Sequence, residues 1–272
     1  MYQSFYGFNE MPFTEDSDQR FLYLGTTHRE ALQHLKYGVA ERKGFIVLIG
    51  EPGSGKTSVS RRFLEELDRT RYETALIADP KVNETQMLKA ILVEIGETRL
   101  ARNQVDLVAQ MNRVLLERIE QGRDIVLLID GAHELKFDVL EQLRLLSNLE
   151  TDKQKLLQIV LIGRPEFREV LARQELRQLR QRILVHYELQ PMSPEEIHRY
   201  IRHRLTLAGG TGRPTFSRLA LRAIHSASKG IVSEVNKICD AALLAAFIRN
   251  SDEVTFWDIR RANRRALILN ES

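Results

Sequence analysis

The most informative stretch of the sequence is a glycine-rich octapeptide that directly follows a short apolar run. It reads Gly50-Glu51-Pro52-Gly53-Ser54-Gly55-Lys56-Thr57. This order of residue types matches the pattern G-x-x-x-x-G-K-[ST] without exception. Glycines in such a loop let successive backbone N–H groups curl around a phosphate, at the positive end of the helix that follows. We therefore predict that residues 50–58, ending at Ser58, bind the phosphates of ATP.

Three side chains give this loop its expected chemistry. The Lys56 ammonium can reach the β- and γ-phosphates, and the Thr57 hydroxyl can ligate Mg²⁺. Asp130 ends the apolar run 125–129, and an acidic residue at the exit of a buried strand is where such proteins hold Mg²⁺ through water. The predicted cofactors are ATP and Mg²⁺, with Lys56 and Asp130 as catalytic residues and Thr57 and Asp130 at the metal. The alternative for Asp130 is a cap on the next loop.

Alternating strand-like and helix-like segments position these residues up to about residue 190. Short β-branched runs predict the strands, and amphipathic stretches at helical spacing separate them. The strand candidates are 45–49, 72–78, 125–129, 157–162 and 183–189, and the helix candidates are 56–67, 84–95, 104–121 and 137–149. Apolar strands of this length between helices favour a parallel sheet covered on both faces. The predicted class is α/β, with residues 1–190 as the nucleotide-binding domain.

The pattern changes after Pro191. Ser193, Pro194 and Glu196 form a helix start, with a serine N-cap, proline at the first helical position and glutamate three residues after the cap. Further helices are predicted, so that the set covers 194–208, 217–228, 232–249 and 256–267. No strand pattern remains in this part of the sequence. Residues 191–272 are therefore predicted to form a smaller, all-helical domain.

The composition is that of an ordinary globular chain. Its 272 residues are 43% hydrophobic and 28% charged, with a formal net charge of +3, which excludes a disordered or collagen-like chain. The single cysteine, Cys239, excludes an intramolecular disulfide and a cysteine metal cluster. The longest apolar runs have the length of buried strands, and residues 1–5 lack a signal-peptide pattern. We expect a cytoplasmic protein, unless a partner holds it at the inner membrane.

The phosphate loop and the strand-end aspartate together resemble the AAA+ ATPases. Three further stretches resemble one branch of that family, the ExeA/GspA-type secretion ATPases: Phe8-Asn9-Glu10-Met11-Pro12-Phe13 with Phe21-Leu22-Tyr23-Leu24 and His28-Arg29-Glu30-Ala31-Leu32; Leu146-Ser147-Asn148-Leu149-Glu150-Thr151; and Leu176-Arg177-Gln178-Leu179-Arg180-Gln181-Arg182-Ile183. The transposition regulators of the TnsC and MuB kind are relatives. The resemblance implies a P-loop three-layer αβα sandwich with a parallel five-stranded sheet, a C-terminal all-α lid domain, and an adenine site beside Phe13.

The chain departs from that family where the γ-phosphate is sensed or cleaved. Relatives read Asp-Glu-Ala-His or Asp-Glu-Ala-Gln after the third strand, whereas this chain reads Asp130-Gly131-Ala132-His133-Glu134. The carboxylate that polarises the attacking water is missing at Gly131, and Glu134 can replace it only through a rearranged loop. Arg164 stands where relatives carry a glutamine sensor, and Ser233 where they carry a lid arginine. Losing such groups costs about two to five orders of magnitude in rate while binding is largely kept. We therefore expect tight MgATP binding with slow or partner-dependent ATP hydrolysis.

Arginine is unusually frequent, with 30 arginines against ten lysines. Arg182, and after it Arg180, matches the position at which AAA+ proteins present an arginine to the nucleotide of a neighbouring subunit. The alternative is an arginine-rich, solvated helix face. Arg164 either contacts the γ-phosphate as a cation or pairs with Glu166 or Glu169. If the first interpretation of Arg182 is right, the resemblance implies a homo-oligomer, as a ring or a filament.

Two functions stay open at this point. Resemblance to the secretion branch implies an ATPase that drives assembly of a secretion, pilus or cell-envelope system through a membrane-bound component. Resemblance to the transposition regulators implies an ATP-gated adaptor on duplex DNA. The second function is supported by four arginines on one face of the last predicted helix, Arg260, Arg261, Arg264 and Arg265, whose alternative is a solvated face. No helix-turn-helix or zinc-finger signature indicates base readout. The opening segment and the stretch 146–151 favour the secretion branch.

Overall fold

The structure is a computed structural model that describes residues 1–14, 19–21, 23–149 and 155–270, with the backbone alone at residues 19 and 264–270. Its α-helices are, in chain order, α1 (Tyr2–Tyr6), α2 (Thr26–Ala40), α3 (Lys56–Glu66), α4 (Glu84–Glu94), α5 (Gln104–Glu120), α6 (Phe137–Leu146), α7 (Phe167–Ala172), α8 (Arg177–Arg182), α9 (Pro194–Leu207), α10 (Arg218–Ser228), α11 (Val232–Ile248) and α12 (Phe256–Asn270). Its strands are β1 (Phe45–Gly50), β2 (Tyr72–Ile77), β3 (Asp124–Asp130), β4 (Leu157–Gly163), β5 (Ile183–Leu189), β6 (Thr215–Phe216) and β7 (Glu253–Val254).

A five-stranded parallel sheet in the order β2-β3-β4-β1-β5 confirms the predicted α/β fold. Every residue of β1 and β4 is buried, as expected for apolar strands covered on both faces. Ile49 pairs with Gly163 and Asp130 with Ile162. The carboxyl ends of β1, β3 and β4 therefore lie at the same edge of the sheet. In open parallel sheets this is the edge at which ligands bind.

The chain divides into two compact units. One unit comprises Glu30–Gly50 and Val59–Leu189 and contains the five-stranded sheet. Its core is a continuous cluster in which the strands pack against residues of α4, α5 and α6, such as Leu88, Met111 and Leu140. Nearly complete exclusion of water from these aliphatic side chains is the main stabilising contribution of such a core, at roughly 25 cal/mol for each Å² of apolar surface buried.

The other unit comprises Met1–Arg29, Glu51–Ser58 and the chain from Gln190 onward. The opening segment and the phosphate loop thus group with the C-terminal helices, and the domain bounds 1–190 and 191–272 stay a prediction. Arg204 of α9 gives one physical reason, because its buried guanidinium donates hydrogen bonds to the carbonyl oxygens of Pro12 and Thr14. The same group lies 4.5 Å from the centre of the Phe21 ring, a favourable cation–π distance.

The C-terminal part is not entirely helical, and the expectation of helices alone is corrected there. Strands β6 and β7 pair in parallel over two residues each. Thr215 N–H donates to the Asp252 carbonyl and Ser217 N–H to the Val254 carbonyl. Two residues are too few to show an alternating pattern in the sequence, so this pairing gives no periodic signal. In the part of the chain that the structure describes, no helix is long and apolar enough to cross a membrane.

Candidate nucleotide site

The phosphate loop has a conformation that two of its glycines permit. Gly53 has φ 73° and Gly55 has φ 96°, values in the left-handed region that residues with a Cβ adopt only at a cost. Ser54 N–H donates to the Glu51 carbonyl at 3.1 Å and closes the first turn of the loop. Glu51, Pro52 and Gly53 are exposed. The loop therefore presents its backbone to solvent, as binding of a phosphate requires.

The residues predicted to contact phosphate and metal begin the helix that follows. Helix α3 starts at Lys56, and Thr57 and Ser58 are exposed in its first turn. Lys56 Nζ donates to the Glu51 carbonyl at 2.7 Å, so its ammonium bends back over the loop. The helix N-terminus adds a partial positive charge at the same place. Backbone N–H groups, a cation and a hydroxyl thus meet within nine consecutive residues, Gly50–Ser58.

A buried histidine, which in the sequence is only one residue of a family-like stretch, supports the loop. His28 Nε2 lies 2.9 Å from the Ser54 carbonyl oxygen, and because that oxygen can only accept, Nε2 carries the proton. A Cβ on Gly55 would lie 2.8 Å from the same nitrogen. Burial lowers the pKa of His28, against the opposing effects of its bond to Ser54 and of the nearby Glu196 carboxylate. His28 is therefore a neutral donor at neutral pH.

A buried carboxylate joins two helix starts in the same unit. Glu196 accepts a hydrogen bond from Thr26 N–H at 2.7 Å, at the beginning of α2. Its other oxygen accepts from Ser193 N–H at 3.1 Å, which completes the predicted capping box of α9. Burial opposes ionisation of Glu196, but the bonds from Ser193 and Thr26 outweigh it and lower the pKa of the carboxyl. Negative charge at the two N-termini also stabilises both helices.

The start of helix α11 contacts the phosphate loop directly. Ser233 N–H donates to the Gly53 carbonyl at 3.1 Å. The Ser233 hydroxyl fills the space in which a Cβ on Gly53 would stand. Ser233 is the residue that matches the lid arginine of the family. In this chain the position carries a small hydroxyl that packs on the loop and no positive charge.

The end of β3 carries the predicted metal residue and the departure beside it. Asp130 is the last residue of the strand and is half-buried. Gly131 has φ 80° and begins a short 3₁₀ turn over Ala132–Glu134. The turn brings Glu134 back, so that its Oε2 lies 3.9 Å from the position of a Cβ on Gly131. Lys81 Nζ holds the other carboxylate oxygen at 3.2 Å.

The 3₁₀ turn brings the Glu134 carboxylate close to residue 131. In a glutamate the carboxylate oxygens lie about 3 to 4 Å from the residue's own Cβ, because two C–C bonds and one C–O bond separate them. The Glu134 oxygen lies at a similar distance from the Cβ position of residue 131. Glu134 is exposed. It remains a candidate for the carboxylate that Gly131 lacks.

The arginines singled out in the sequence differ in their surroundings. Arg180 Nη1 donates to the Leu171 carbonyl at 2.9 Å, at the end of α7, which gives it a structural task. Arg182 is half-buried, immediately before β5. Arg164 is exposed, and among the described residues it forms no ion pair with Glu166 or Glu169. Arg264 and Arg265 lie outside the residues whose side chains are described, as do Glu150 and Thr151 of the family-like stretch.

Phe13 lies within the hydrophobic cluster of the unit that contains the phosphate loop. Its ring is 3% exposed and packs in the same cluster as residues of α9, α10 and α11. The contact of Phe13 with adenine therefore stays a prediction. Such a contact requires the cluster to open, or the base to stack against the edge of the cluster.

The residues present fit ATP and magnesium. In the loop, the Ser54 hydroxyl is buried and has no hydrogen-bond partner among the described residues, which is unusual for a buried polar group. The Thr57 hydroxyl and the Asp130 carboxylate are each oxygen donors of the kind that Mg²⁺ prefers, and their role at a metal ion stays a prediction. A parallel sheet of this order, with a phosphate loop after β1 and an aspartate at the end of β3, defines the class of P-loop nucleotide-binding proteins.

Comparison with known proteins shows which family of P-loop proteins this chain resembles. A family model described as AAA domain matches residues 39–171 of this chain. General secretion pathway protein A of Aeromonas hydrophila is 43% identical over 263 residues, which cover 96% of this chain and 48% of that protein. The chain therefore belongs to the AAA+ ATPases of the ExeA/GspA type, and it spans about half the length of the curated relative it matches.

Two solved structures show the same fold at low identity. Cdc6p of Pyrobaculum aerophilum has a TM-score of 0.67 and 18% identity, over 92% of this chain and 71% of that chain. RuvB of Thermotoga maritima, a Holliday junction branch migration motor, has a TM-score of 0.57 and 19% identity, over 93% of this chain and 72% of that chain. At these identities the likeness establishes the fold alone.

Proposed function

We propose that this chain binds MgATP through Gly50–Ser58, hydrolyses it slowly or with the help of a partner, and uses ATP-dependent oligomerisation to drive assembly of a secretion, pilus or cell-envelope system. The observation that carries the proposal is the phosphate loop, whose residues match the phosphate-binding pattern in full and in which Gly53 and Gly55 have left-handed φ values. The name of the relative from Aeromonas hydrophila, general secretion pathway protein A, supports the cellular role.

In the proposed site each residue has a separate task. The loop N–H groups and Lys56 would bind the β- and γ-phosphates, and Thr57 and Asp130 are the residues that would hold a magnesium ion. The metal neutralises charge on the phosphate oxygens when it is bound. Water attacks the γ-phosphorus, the bond to the bridging oxygen breaks, and ADP and phosphate leave. Glu134 is the carboxylate that we assign to orienting this water.

Oligomerisation is proposed to complete the site. Arg182 is the residue we expect a subunit to present to the nucleotide of its neighbour, because Arg180 already binds a backbone carbonyl of its own subunit. A cation supplied in this way stabilises the charge of the transition state and is worth about three to five orders of magnitude in other nucleotide hydrolases. Slow turnover by the isolated chain follows from this arrangement.

One experiment tests the proposal as a whole. The chain is studied by size-exclusion chromatography with light scattering, alone, with MgATP, with MgADP, and with MgATP and duplex DNA. The expected result is a larger assembly with MgATP that is indifferent to DNA. A monomer under all conditions, in a protein that binds ATP, would contradict the oligomeric part. Lys56→Ala is the matched control, since it removes phosphate binding and leaves the remaining surface unchanged.

A second candidate function, ATP-gated binding to duplex DNA, is kept because of the exposed face of α12. Trp257 is 64% exposed, the Arg260 guanidinium lies 5.9 Å from its ring centre, and Arg261 is exposed beside it. Arginines next to an aromatic ring suit contacts with phosphates and bases. An assembly that forms only when MgATP and DNA are both present would favour this function over the first.

A further inference from the structure

The phosphate loop is held from beneath by the side chain of His28. This imidazole is 3% exposed and donates from Nε2 to the Ser54 carbonyl at 2.9 Å. Its other ring nitrogen, Nδ1, is buried and has no hydrogen-bond partner among the described residues. The bond from Nε2 to the Ser54 carbonyl is therefore the hydrogen bond that the imidazole makes among the described residues.

That bond fixes the orientation of one peptide unit of the loop. The Ser54 carbonyl and the Gly55 N–H belong to the same trans peptide plane and point in opposite directions. When His28 holds the carbonyl, the Gly55 N–H is directed away from the histidine. Gly55 can adopt this geometry because its φ of 96° is open to glycine. A residue with a Cβ would not fit, since the Cβ would lie 2.8 Å from His28 Nε2.

The position of His28 is in turn fixed by the start of its own helix. Glu196 of α9 accepts from Thr26 N–H at 2.7 Å, two residues before His28. Both side chains lie close to Gly25, since a Cβ at that residue would stand 3.0 Å from Glu196 Oε1 and 3.4 Å from His28 Nδ1. The carboxylate, the helix start, the imidazole and the loop carbonyl thus form one continuous packed series.

We propose that His28 is a positioning residue that sets the peptide plane between Ser54 and Gly55, and so directs the Gly55 N–H toward the phosphates of the nucleotide. The inference rests on the proposed function for its ligand, and on the geometry of the nucleotide-free loop for its mechanism. His28 acts through the loop backbone and does not itself touch the ligand. The requirement is for a donor at the position of Nε2, not for the volume of the ring.

The test compares three substitutions that separate the donor from the ring. In His28→Gln the side-chain amide nitrogen reaches about as far as Nε2 and can donate to Ser54. In His28→Asn the amide is one bond shorter, and in His28→Leu no donor remains. ATP affinity is measured with a fluorescent ATP analogue, melting temperature by calorimetry, and amide hydrogen exchange across residues 53–57 in nucleotide-free protein. His34→Gln, an exposed histidine on the same helix, is the control.

We expect His28→Gln to keep ATP affinity within about threefold, and His28→Asn and His28→Leu to lose about tenfold, the size of one net hydrogen bond to a charged partner. Exchange of the loop amides should rise in the Asn and Leu variants and stay near wild type in the Gln variant. Equal behaviour of the three folded variants, or changes in melting temperature alone, would overturn the inference. If the wild-type chain binds no ATP, the proposed function fails, and the exchange pattern of the free protein still decides the role of His28.

Discussion

The phosphate loop matches the pattern of its family in full, whereas the end of β3 departs from it. The loop keeps every residue of its pattern and is supported by His28 and Ser233 from the unit to which it belongs. At the end of β3 the aspartate is kept, but glycine replaces the neighbouring carboxylate and Glu134 folds back toward the vacant position. We therefore expect substitutions in these two regions to separate nucleotide binding from nucleotide cleavage.

The largest effect is expected where the loop is broken. Lys56→Ala should weaken ATP binding by on the order of 100-fold, because a charge-assisted contact with two phosphates is lost. Stability should barely change, since Lys56 lies at the start of α3 and its ammonium contacts a loop carbonyl at the surface. Calorimetric titration with MgATP and a thermal melt measure the two quantities. Affinity that stays micromolar in the variant would remove the loop from the site.

Changing the carboxylate at the end of β3 should affect turnover and leave binding intact. Glu134→Gln keeps the size of the side chain but removes the charge that would orient water, and should slow hydrolysis by about 100-fold, the lower range for a general base. ATP affinity should stay within about twofold of wild type. Asp138→Asn, an exposed carboxylate in the first turn of the next helix, is the matched control. Equal rates for Glu134→Gln and wild type would exclude Glu134 from the reaction.

The next substitution places a glutamate at residue 131, where relatives carry a carboxylate, and tests whether the end of β3 limits ATP hydrolysis. Gly131→Glu should raise basal ATPase activity at least about tenfold if the missing group limits the rate. The φ of 80° and the Pro80 ring, 3.3 Å from the Cβ position, make the substitution costly, by about 1 to 2 kcal/mol.

Gly131→Ala separates these two effects, because it carries the same backbone strain without a carboxylate. A thermal melt should show similar destabilisation in the two variants, and only Gly131→Glu should hydrolyse ATP faster. A well-folded Gly131→Glu with unchanged turnover would direct attention to Arg164, Ser233 or a missing partner.

The smallest expected effect is a dependence of stability on pH that comes from the buried imidazole of His28. Burial lowers the pKa of His28, whereas in the unfolded chain it is about 6.5. As pH falls below about 6.5, the unfolded state takes up a proton that the folded state refuses, so stability is lost toward acid by at most about 1.4 kcal/mol per pH unit. The facing carboxylate, Glu196, lessens this loss.

Denaturant unfolding of wild type and His28→Gln between pH 8 and pH 5.5 isolates this contribution. The wild type should lose more stability than the variant over the range, since glutamine does not titrate. His34→Gln should follow the wild type. Parallel curves for wild type and His28→Gln would mean that the buried imidazole is protonated as readily in the folded as in the unfolded state.

Much of the fold could be predicted from neighbouring residues. The apolar runs gave β1, β3 and β4 to within a residue or so, and the Ser193 capping box marked the start of α9, because these signals are local. The phosphate loop was equally clear, since its pattern occupies eight consecutive positions. The two-residue strands β6 and β7 were missed because they are too short for any periodic signal.

The support of the loop could not be predicted, because it depends on contacts between distant parts of the chain. His28 and Ser54 are 26 residues apart, and Thr26 and Glu196 are 170 apart. The sequence presented His28 as one residue of a family-like stretch and Ser233 as a missing arginine. The position of Glu134 depended on the left-handed φ of Gly131 and on the 3₁₀ turn after it, neither of which has a strong local signature.

We propose that this chain binds MgATP well and cleaves it poorly. The most direct measurement determines both quantities on one preparation of the nucleotide-free chain: the dissociation constant for MgATP by calorimetric titration, and the rate of phosphate release in a single turnover. We expect a micromolar or lower dissociation constant and a rate below about 0.01 per second, in the range of nucleotide hydrolases that lack a partner arginine. Turnover near one per second by the isolated chain, or no binding of MgATP to the folded protein, would contradict it.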